Sequence, residues 1–442
     1  MVPVRRTVAV VDSLVGAQLQ LLVEGVAAGG ACVARHEGRV VFVRHALPGE
    51  RVRAVVTEDR DRFLRADAVE IEEASPDRVP APCPYAAPGR CGGCDWQHAS
   101  GAAQRRLKAA VIGEQFARIA GLDLTATVGP LTVEELPGGL LGWRSRITFA
   151  VDAAGRPGLH RHRSHELEPV ASCPLGVPGV GDTTALARQW PGQTGIEAVR
   201  GDGPEVTLLA HRPGAGRQAR GRRPPDRVSV VEGPPEVRHT VLGRPYTVAA
   251  GGFWQVHPAA ADAFAQALLD ELGPQPGERV VDLYAGAGAF TAVLADAVGP
   301  SGSVVGVESA VGAVADAERN LADRPWAQVR RGRVDAALLA ALGERPDVIV
   351  LDPPRAGAGH DVMAALLALA PRAVAYVACD PAALARDVAA AGDLGWRLSG
   401  LRAFDAFPMT HHVECVAQLE PGGQLEPGDG SVVRADAARP SP

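Results

Sequence analysis

Residues 280–290, VVDLYAGAGAF, decide the fold of the C-terminal part of the chain. An apolar strand runs into a glycine-rich turn, and the turn leads into a helix. Gly286 and Gly288 let the backbone approach a ligand closely at the start of that helix. Because Thr291 stands where a dinucleotide-binding G-x-G-x-x-G pattern needs its third glycine, the pattern disfavours NAD. The turn therefore predicts a different ligand.

Strand and helix patterns alternate along the chain after Val256. The apolar runs SVVGVES, DVIVLDPPR and AVAYVACDP predict a parallel, doubly wound α/β sheet with ligands at the carboxyl ends of its strands. Glu308 ends the first run, where a carboxylate can accept both hydroxyls of an adenosine ribose. The alternative is that Glu308 only caps the following helix. Strand, glycine turn, helix and acidic strand end together favour S-adenosylmethionine (SAM).

Further chemical groups are expected at the same edge of the sheet. Asp352 follows the strand DVIVL and precedes a stiff Pro-Pro corner, although a structural turn would explain the same residues. Cys379 ends the strand AVAYVA, and a reactive thiol there should be partly exposed in electropositive surroundings. Glu414, in FPMTHHVE, is the candidate general base. A single cysteine is more often a buried apolar residue, as we expect for Cys32 and Cys415, so the combination carries the inference.

Four of the seven cysteines form a second pattern. Cys83, Cys91 and Cys94 are spaced C-x7-C-x2-C, and Cys173 follows in a later β-rich segment. Three close thiols and one distant thiol suit a closed site of four cysteine ligands for an iron–sulfur cluster or for structural zinc. The Gly-Gly pair before Cys94 frees backbone N–H groups to face cluster sulfurs, which favours iron–sulfur. His98 is a further candidate ligand, but a structural histidine is the preferred interpretation.

The N-terminal part has a different pattern. Short β-prone runs over residues 8–72, separated by glycine-containing turns, predict a small OB-like β-barrel compatible with nucleic-acid binding. Basic residues outnumber acidic ones over residues 1–250, although the whole chain has a net charge of −6. This part is therefore the more suited to a polyanion. Lys108 is the single lysine among 45 basic residues, so phosphate contacts would use arginine.

The middle of the chain connects these two parts. Residues 102–120 have the apolar spacing of an amphipathic helix, and residues 140–250 contain further β-prone runs. The basic residues 213–227 are interpreted either as a loop that touches RNA or as a solvated insertion. Apolar runs shorter than the roughly 20 residues of a membrane span, and an N-terminus without a signal-peptide pattern, predict a cytoplasmic protein with no membrane contact.

The motifs match a known family in their order along the chain. FWQVH, DLYAGAGAF, VGVES, DPPRAG, YVACDPAALARD and FPMTHHVE resemble the SAM-binding and catalytic motifs of the RNA uracil-5-methyltransferases, which make 5-methyluridine. The barrel resembles their RNA-binding TRAM domain. The CGGCDWQH run with Cys173 resembles the [4Fe-4S] site of the ribosomal RNA branch. The likeness covers nearly the whole chain and implies a Rossmann-like class I methyltransferase domain.

The resemblance also implies roles for residues. Cys379 is similar to the family's nucleophile and Glu414 to its base. The positions that match the family's cofactor contacts are Gln255, Tyr284, Glu308 and Asp352, with Asp335 as a further one. Gly286, Gly288 and Ala289 of the glycine turn complete the predicted cofactor site. The chain departs from the family in a longer gap between Cys83 and Cys91, and in Ala289 and Asp380, which each stand where asparagine is usual. Asp380 puts a carboxylate beside the thiol, which would disfavour the thiolate.

The resemblance implies four units along the chain. They are a TRAM barrel over 1–72, a β-rich domain with the four-cysteine site over 73–245, a methyltransferase domain over 246–421 and a disordered tail over 422–442. The expected activity is SAM-dependent methylation of uridine C5, in ribosomal rather than transfer RNA. We expect a monomer with a [4Fe-4S] cluster in preference to zinc.

Two alternatives stay open from the sequence. One is a SAM-dependent amino-methyltransferase acting on a nucleic-acid base, which would transfer the methyl group directly and need neither Cys379 nor Glu414. The other is a non-catalytic RNA-binding iron–sulfur protein, in which the cluster is a structural element.

Overall fold

The computed structural model describes residues 13–214, 226–343 and 345–422. The predicted tail and most of the predicted loop over 213–227 therefore lie outside the described residues. Inside these ranges, the chain forms a closed barrel, a six-stranded sheet, a two-stranded hairpin and an eight-stranded sheet. No helix in them is long and apolar enough to cross a membrane.

Five strands form the barrel: β1 (Gln18–Val26), β2 (Cys32–His36), β3 (Arg39–Arg44), β4 (Arg51–Arg60) and β5 (Phe63–Glu73). They close in the order β1-β2-β3-β5-β4. Apolar and polar residues alternate because successive side chains of a strand point to opposite faces. In β1, Leu19, Leu21 and Val23 are buried and the residues between them are exposed. The predicted β-barrel is confirmed.

Residues 74–100, here called the cysteine segment, connect the barrel to α1 (Gly101–Gln115). Ser100 caps this helix, since its side chain accepts a hydrogen bond from the first helical turn. The helix continues as one π-helical turn (Phe116–Ala120) and ends at Gly121, whose φ of 66° suits glycine. The predicted amphipathic helix is confirmed.

Two short elements follow, α2 (Leu124–Val128) and β6 (Val133–Glu135). The next strands are β7 (Arg146–Val151), β8 (Pro157–His160), β9 (Leu167–Glu168), β10 (Gly195–Arg200), β11 (Val206–Arg212), β12 (Arg227–Glu232), β13 (Glu236–Val241) and β14 (Arg244–Ala249). Strands β7 to β12 form a sheet in the order β12-β11-β10-β7-β8-β9, and β13 pairs with β14 as a hairpin. This is the β-rich middle that the sequence predicts.

Helices and strands alternate from there on. They are α3 (Ala260–Leu272), β15 (Arg279–Leu283), α4 (Ala289–Val298), β16 (Ser303–Glu308), α5 (Val311–Asn320), β17 (Ala327–Arg331), α6 (Ala336–Ala340), β18 (Val348–Leu351), α7 (His360–Ala368), β19 (Ala373–Ala378), α8 (Pro381–Asp393), β20 (Trp396–Asp405) and β21 (Glu414–Pro421).

The C-terminal sheet has the order β17-β16-β15-β18-β19-β21-β20-β6. Strands β15 to β19 are parallel, and β21 is antiparallel to β19 and β20. Strands β18 and β19 are buried along their whole length, as expected for a parallel sheet covered on both faces. The predicted Rossmann-like α/β fold is confirmed. Strand β6, from the N-terminal half, was not predicted to pair with β20.

Candidate active site

Several strands of the C-terminal sheet end at one edge. Backbone pairing aligns Leu283 of β15 with Val307 of β16 and with Leu351 of β18. Leu351 is aligned in turn with Tyr376 of β19. The sequence-predicted residues at or just after these strand ends are Tyr284, Glu308, Asp352 and Cys379.

The glycine-rich turn after β15 has left-handed backbone conformations. Tyr284, Gly286 and Gly288 have φ of 65°, 55° and 83°. Glycine adopts such values without steric cost, whereas tyrosine adopts them only when the surrounding fold imposes them. Glu308 Oε2 accepts a hydrogen bond from the backbone N–H of Gly286 at 3.1 Å, and its Oε1 accepts one from Ala310 at 2.7 Å. The carboxylate therefore contacts both the glycine turn and the backbone that precedes α5.

Two more carboxyl groups lie at this edge. Asp282 is buried; its Oδ2 accepts a hydrogen bond from Thr291 Oγ1 at 2.5 Å, and its Oδ1 has no partner in the described part of the chain. Burial raises the pKa of Asp282 to about 7. Burial and repulsion from Asp282 also raise the pKa of Asp352 to about 7. This edge therefore buries carboxyl groups away from water, where their charged form is disfavoured.

Cys379 and Glu414 lie beside each other on antiparallel strands. Ala378 of β19 pairs with Cys415 of β21, so the next residue of β19 stands opposite the preceding residue of β21. Burial, with repulsion from Asp352, holds the pKa of Glu414 well above its usual range, while Arg355 acts to lower it. Burial and the charge of Glu414 raise the pKa of Cys379 to about 11. The thiol is therefore the resting form.

The predicted electropositive setting of Cys379 is wrong. The carboxylates of Glu414, Asp352 and Asp380 all raise the thiol pKa, and Arg355 lowers it. Asp380 also caps α8, since its Oδ1 accepts a hydrogen bond from the backbone N–H of the third helical residue at 2.8 Å. Asp380 adjoins Cys379 in the sequence, and its unfavourable charge was expected there. Asp352 and Glu414 are distant in the sequence, and only the sheet brings them to this edge.

A cavity of 350 Å³ opens beside Cys379. Its wall includes polar side chains that the sequence analysis did not assign to the site, namely Lys108, Arg355, His411 and His412. The turn between β1 and β2 lines the cavity too, so barrel, α1 and C-terminal sheet share it. Arg355 and the histidines stand inside recognised motifs and could have been found there. Lys108 gives no such signal, because its position matters only through tertiary contacts.

Residues 406–413, here called the site loop, join β20 to β21 and are held by α1. Gln104 accepts, at Oε1, a hydrogen bond from the backbone N–H of Met409 at 2.7 Å. Lys108 is fully buried and its Nζ donates to Asp405 Oδ1 at 2.5 Å, just before the loop. The loop that leads into Glu414 is therefore fixed from the N-terminal half of the chain.

Comparison with known proteins agrees with this arrangement. Residues 12–69 match the TRAM domain model, and residues 246–421 match the model described as tRNA (Uracil-5-)-methyltransferase. An uncharacterized RNA methyltransferase of Streptomyces avermitilis is 49% identical over 92% of this chain and 99% of its own length. A 23S rRNA (uracil(1939)-C(5))-methyltransferase of Alkalilimnicola ehrlichii is 33% identical over 91% of this chain and 96% of its own.

The chain belongs to the RNA uracil-5-methyltransferase family. The predicted enzyme class, a SAM-dependent RNA methyltransferase, is thereby confirmed. The fold agrees with the crystal structure of Pyrococcus abyssi tRNA (uracil-54, C5)-methyltransferase in complex with S-adenosyl-L-homocysteine. That match has a TM-score of 0.66 and 19% identity, and covers 91% of this chain and all of the other.

In this RNA uracil-5-methyltransferase, the other predicted cofactor positions lie in a connection or at the start of a helix. Gln255 is half-buried in the connection between β14 and α3. Asp335 caps α6, with Oδ1 accepting a hydrogen bond from the backbone N–H of Leu338 at 2.9 Å. Ala289 begins α4, and its carbonyl accepts a hydrogen bond from the Tyr246 hydroxyl at 3.3 Å.

The predicted metal-binding cysteines of this family member line a second cavity, of 210 Å³. They are Cys83, Cys91, Cys94 and Cys173, all free thiols. Gln97 Nε2 donates a hydrogen bond to Cys94 Sγ at 3.2 Å. In the three described ranges, no group of three or more His, Cys, Asp or Glu residues is arranged to hold a metal ion. His98 is buried and bonds the carbonyl of Ala46 through Nε2 at 3.3 Å, as a structural histidine would.

Proposed function

We propose that the protein methylates C5 of a uridine in RNA, with Cys379 as nucleophile and Glu414 as general base. The observation that carries the proposal is the pairing of β19 with β21, which sets these two residues beside each other. The chemistry requires both groups next to one base. SAM supplies the methyl group when it is bound.

Cys379 provides the activation that uracil lacks. C5 is too electron-poor to take a methyl group directly. Addition of the Cys379 sulfur forms a bond to C6 and moves the C5=C6 electron pair towards C5 and O4, which makes C5 nucleophilic. Because the pKa of the resting thiol is about 11, its proton must pass to water in the cavity that the thiol lines before attack, and the charge of Arg355 favours this loss.

Glu414 completes the reaction after C5 carries the methyl group. It takes the remaining C5 proton, the electron pair of the C–H bond restores C5=C6, and the Cys379 sulfur leaves from C6. Burial holds the pKa of Glu414 well above its usual range, so its ionised carboxylate is a stronger base than that of an ordinary glutamate.

The residues around the glycine turn fit SAM. Glu308, at the end of β16, suits the ribose hydroxyls, and Gly286 and Gly288 leave room for close approach. The buried Oδ1 of Asp282, which has no partner among the described residues, suits a donor such as an ammonium group. Asp352 adds a third acidic group at this edge. We propose that Gln255, Tyr284, Ala289 and Asp335 complete the cofactor site.

We propose that the target uridine leaves its stack and enters the cavity beside Cys379, since C5 and C6 are inaccessible within a helix. A further cavity of 530 Å³ between the barrel and the β8–β9 turn supports RNA contact nearby. Its wall carries five arginines, Arg44, Arg60, Arg65, Arg161 and Arg163, beside three carboxyl groups, Glu58, Asp67 and Glu166. A guanidinium group can donate two parallel hydrogen bonds to two oxygens of one phosphate.

We propose ribosomal RNA as the substrate. The relative named for 23S rRNA is 33% identical over 91% of this chain, whereas the solved structure named for tRNA covers the same share at 19% identity. The higher identity favours the ribosomal assignment. We further propose that the units are those expected from the sequence, over 1–72, 73–245 and 246–421.

We propose that Cys83, Cys91, Cys94 and Cys173 hold a [4Fe-4S] cluster. The four free thiols line one cavity, as four ligands of one group would. The backbone N–H of Gly93 donates to the Cys91 sulfur, which supports a cluster because such N–H groups also face cluster sulfurs. Anaerobic purification should give about four iron atoms and little zinc per chain. One zinc and no iron would contradict the assignment.

Methyl transfer from labelled SAM to unmodified ribosomal RNA, followed by nucleoside analysis, tests the activity. We expect label in 5-methyluridine, a covalent adduct with RNA that contains 5-fluorouridine, and neither with Cys379→Ala. Label in an amino-methylated base, or activity that survives the substitution, would overturn the covalent mechanism. RNA binding without any methyl transfer would leave the non-catalytic alternative.

A further inference from the structure

His411 is a polar group of the cavity beside Cys379 for which the proposed chemistry has no use. Its Nδ1 lies 2.6 Å from Asp95 Oδ2, and its backbone N–H donates to the same oxygen at 3.2 Å. The His411 side chain is 31% exposed, while that of Asp95 is only 11% exposed. One end of the imidazole is therefore anchored in the protein, and the ring lines the cavity.

Asp95 is itself held by neighbouring elements. Its backbone N–H and that of Trp96 both donate to the carbonyl of Met409 in the site loop, at 3.0 Å. Arg44 Nη2 lies 4.0 Å from Asp95 Oδ1. A Cβ at Gly30 of the barrel would lie 2.7 Å from Asp95 Cγ, so the barrel leaves room for this side chain by carrying glycine there. Asp95 cannot move without disturbing the barrel or the site loop.

An anchored imidazole presents one defined atom to its cavity. The carboxylate takes the N–H of Nδ1, and this leaves Nε2 for another partner. None of the described hydrogen bonds uses the Nε2 of His411. The ring of His412 packs against that of His411 at 4.1 Å between centroids, which restricts rotation.

Resting on the proposed function, we propose that His411 binds the target nucleotide through Nε2, and that Asp95 is a positioning residue that orients the imidazole for this contact. The sequence separates the two by 316 positions. The arrangement links the cysteine segment directly to the substrate. In this proposal His411 contributes a hydrogen bond to the nucleotide and takes no part in the methyl-transfer chemistry.

The substitution His411→Asn tests the two ring nitrogens of the imidazole separately. Asparagine keeps a side-chain N–H near the position of Nδ1 and can still donate to Asp95, but nothing replaces Nε2. With unmodified 23S ribosomal RNA transcribed in vitro, we expect the KM for RNA to rise about tenfold, the loss of roughly one hydrogen bond, while kcat changes little. Asp95→Ala should give a similar rise. His360→Asn, at an exposed histidine outside the cavity, is the matched control and should leave KM unchanged.

The double variant Asp95→Ala with His411→Asn decides between a positioning and a merely structural role. We expect its KM to equal that of either single variant, because Asp95 acts through the imidazole. Multiplied effects, or a parental KM in His411→Asn, would overturn the proposal. If Asp95→Ala lowers the melting temperature, Asp95→Asn keeps the size and an acceptor and should retain most of the RNA affinity. Dissociation constants for the same transcript test the inference separately, even if the parent protein forms no 5-methyluridine and the proposed function fails.

Discussion

The C-terminal sheet lines the cavity beside Cys379, and the cysteine segment contacts the cavity wall at His411, but the two hold their residues in different ways. In the sheet, backbone register fixes the strand ends, and strands such as β19 are buried throughout. The cysteine segment forms only the isolated bridges Arg78↔Ala99 and Cys91↔Arg161. Its residues reach the site through side-chain contacts such as Asp95 to His411. A group placed by register can be inferred from a strand end, whereas a group placed by side-chain contacts cannot.

The largest effect should come from the sheet. Cys379→Ala removes the proposed nucleophile, and we expect 5-methyluridine formation to fall by roughly 10⁴-fold or more with an unchanged melting temperature. Cys32→Ala, which removes a buried thiol in the barrel, is the control and should keep the activity. Substantial activity in Cys379→Ala would show that Cys379 is not the nucleophile, and that the strand register at this edge does not place a catalytic group there.

The next effect concerns the contacts from α1. Lys108→Met leaves the buried carboxylate of Asp405 without its cation, and we expect the free energy of unfolding to fall by about 3–5 kcal/mol. Adding Asp405→Asn removes that charge and should restore much of the loss in a urea titration. A cost below about 1 kcal/mol for the single variant would show that this side of the cavity tolerates rearrangement, unlike the sheet.

The buried Asp282 at the sheet edge should also make the free energy of unfolding depend on pH. Asp282 has a pKa of about 7 in the folded protein and 3.8 as the ordinary value, so between these pH values the folded chain keeps a proton that the unfolded chain has released. Stability from this group therefore falls as the pH rises from about 4 to 7 and is level above that. As the pH rises from about 4 to 7, the free energy of unfolding of Asp282→Asn should increase relative to that of the parent by up to about 4 kcal/mol.

Asp393→Asn, at an exposed carboxyl group, is the control for this measurement and should follow the parent at every pH. Parallel curves for Asp282→Asn and the parent would contradict the burial of charge at this edge.

The smallest expected effect tests Asp380. Asparagine is as good a helix cap as aspartate but carries no charge, so Asp380→Asn should lower the pKa of Cys379 slightly. We expect the thiol to react about two- to threefold faster with iodoacetamide at neutral pH. Asp335→Asn changes the cap of α6 in the same way and should not alter the rate. An unchanged rate in Asp380→Asn would mean that the hydrogen bond in the helix cap offsets the effect of the Asp380 charge on the thiol.

The sequence predicts most of the fold and the sheet-borne half of the candidate site. The glycine turn, the alternation of strands and helices and the strand-end positions of Asp352 and Cys379 are local patterns, so each can be recognised in a short stretch. Glu414 could be named as the candidate base because the chemistry requires one at the same edge as Cys379. The strand pairing that sets it beside Cys379 appears only in the structure, because no local pattern gives the order of strands.

Tertiary contacts explain what could not be predicted. Lys108 looks like one position of an amphipathic helix, and its burial against Asp405 appears only when distant elements pack. The electropositive setting expected for Cys379 failed largely for the same reason, because Asp352 and Glu414, from two distant segments, join the neighbouring Asp380 around the thiol. The charge around a residue such as Cys379 therefore depends on how the strands pack and cannot be obtained from one stretch of sequence.

Strand β6 affects the order in which the chain can fold as it is synthesised. Val133 pairs with Ala403, so the ribosome adds roughly 270 residues between one strand and its partner. At about 5–20 residues per second, β6 waits roughly 15–50 s for β20 to emerge. During this delay β6 is an unpaired edge, and its charged residues Glu134 and Glu135 discourage pairing with other chains. Glu134 then forms a bidentate ion pair with Arg402 of β20, so the charge that protects the nascent strand also joins it to its partner.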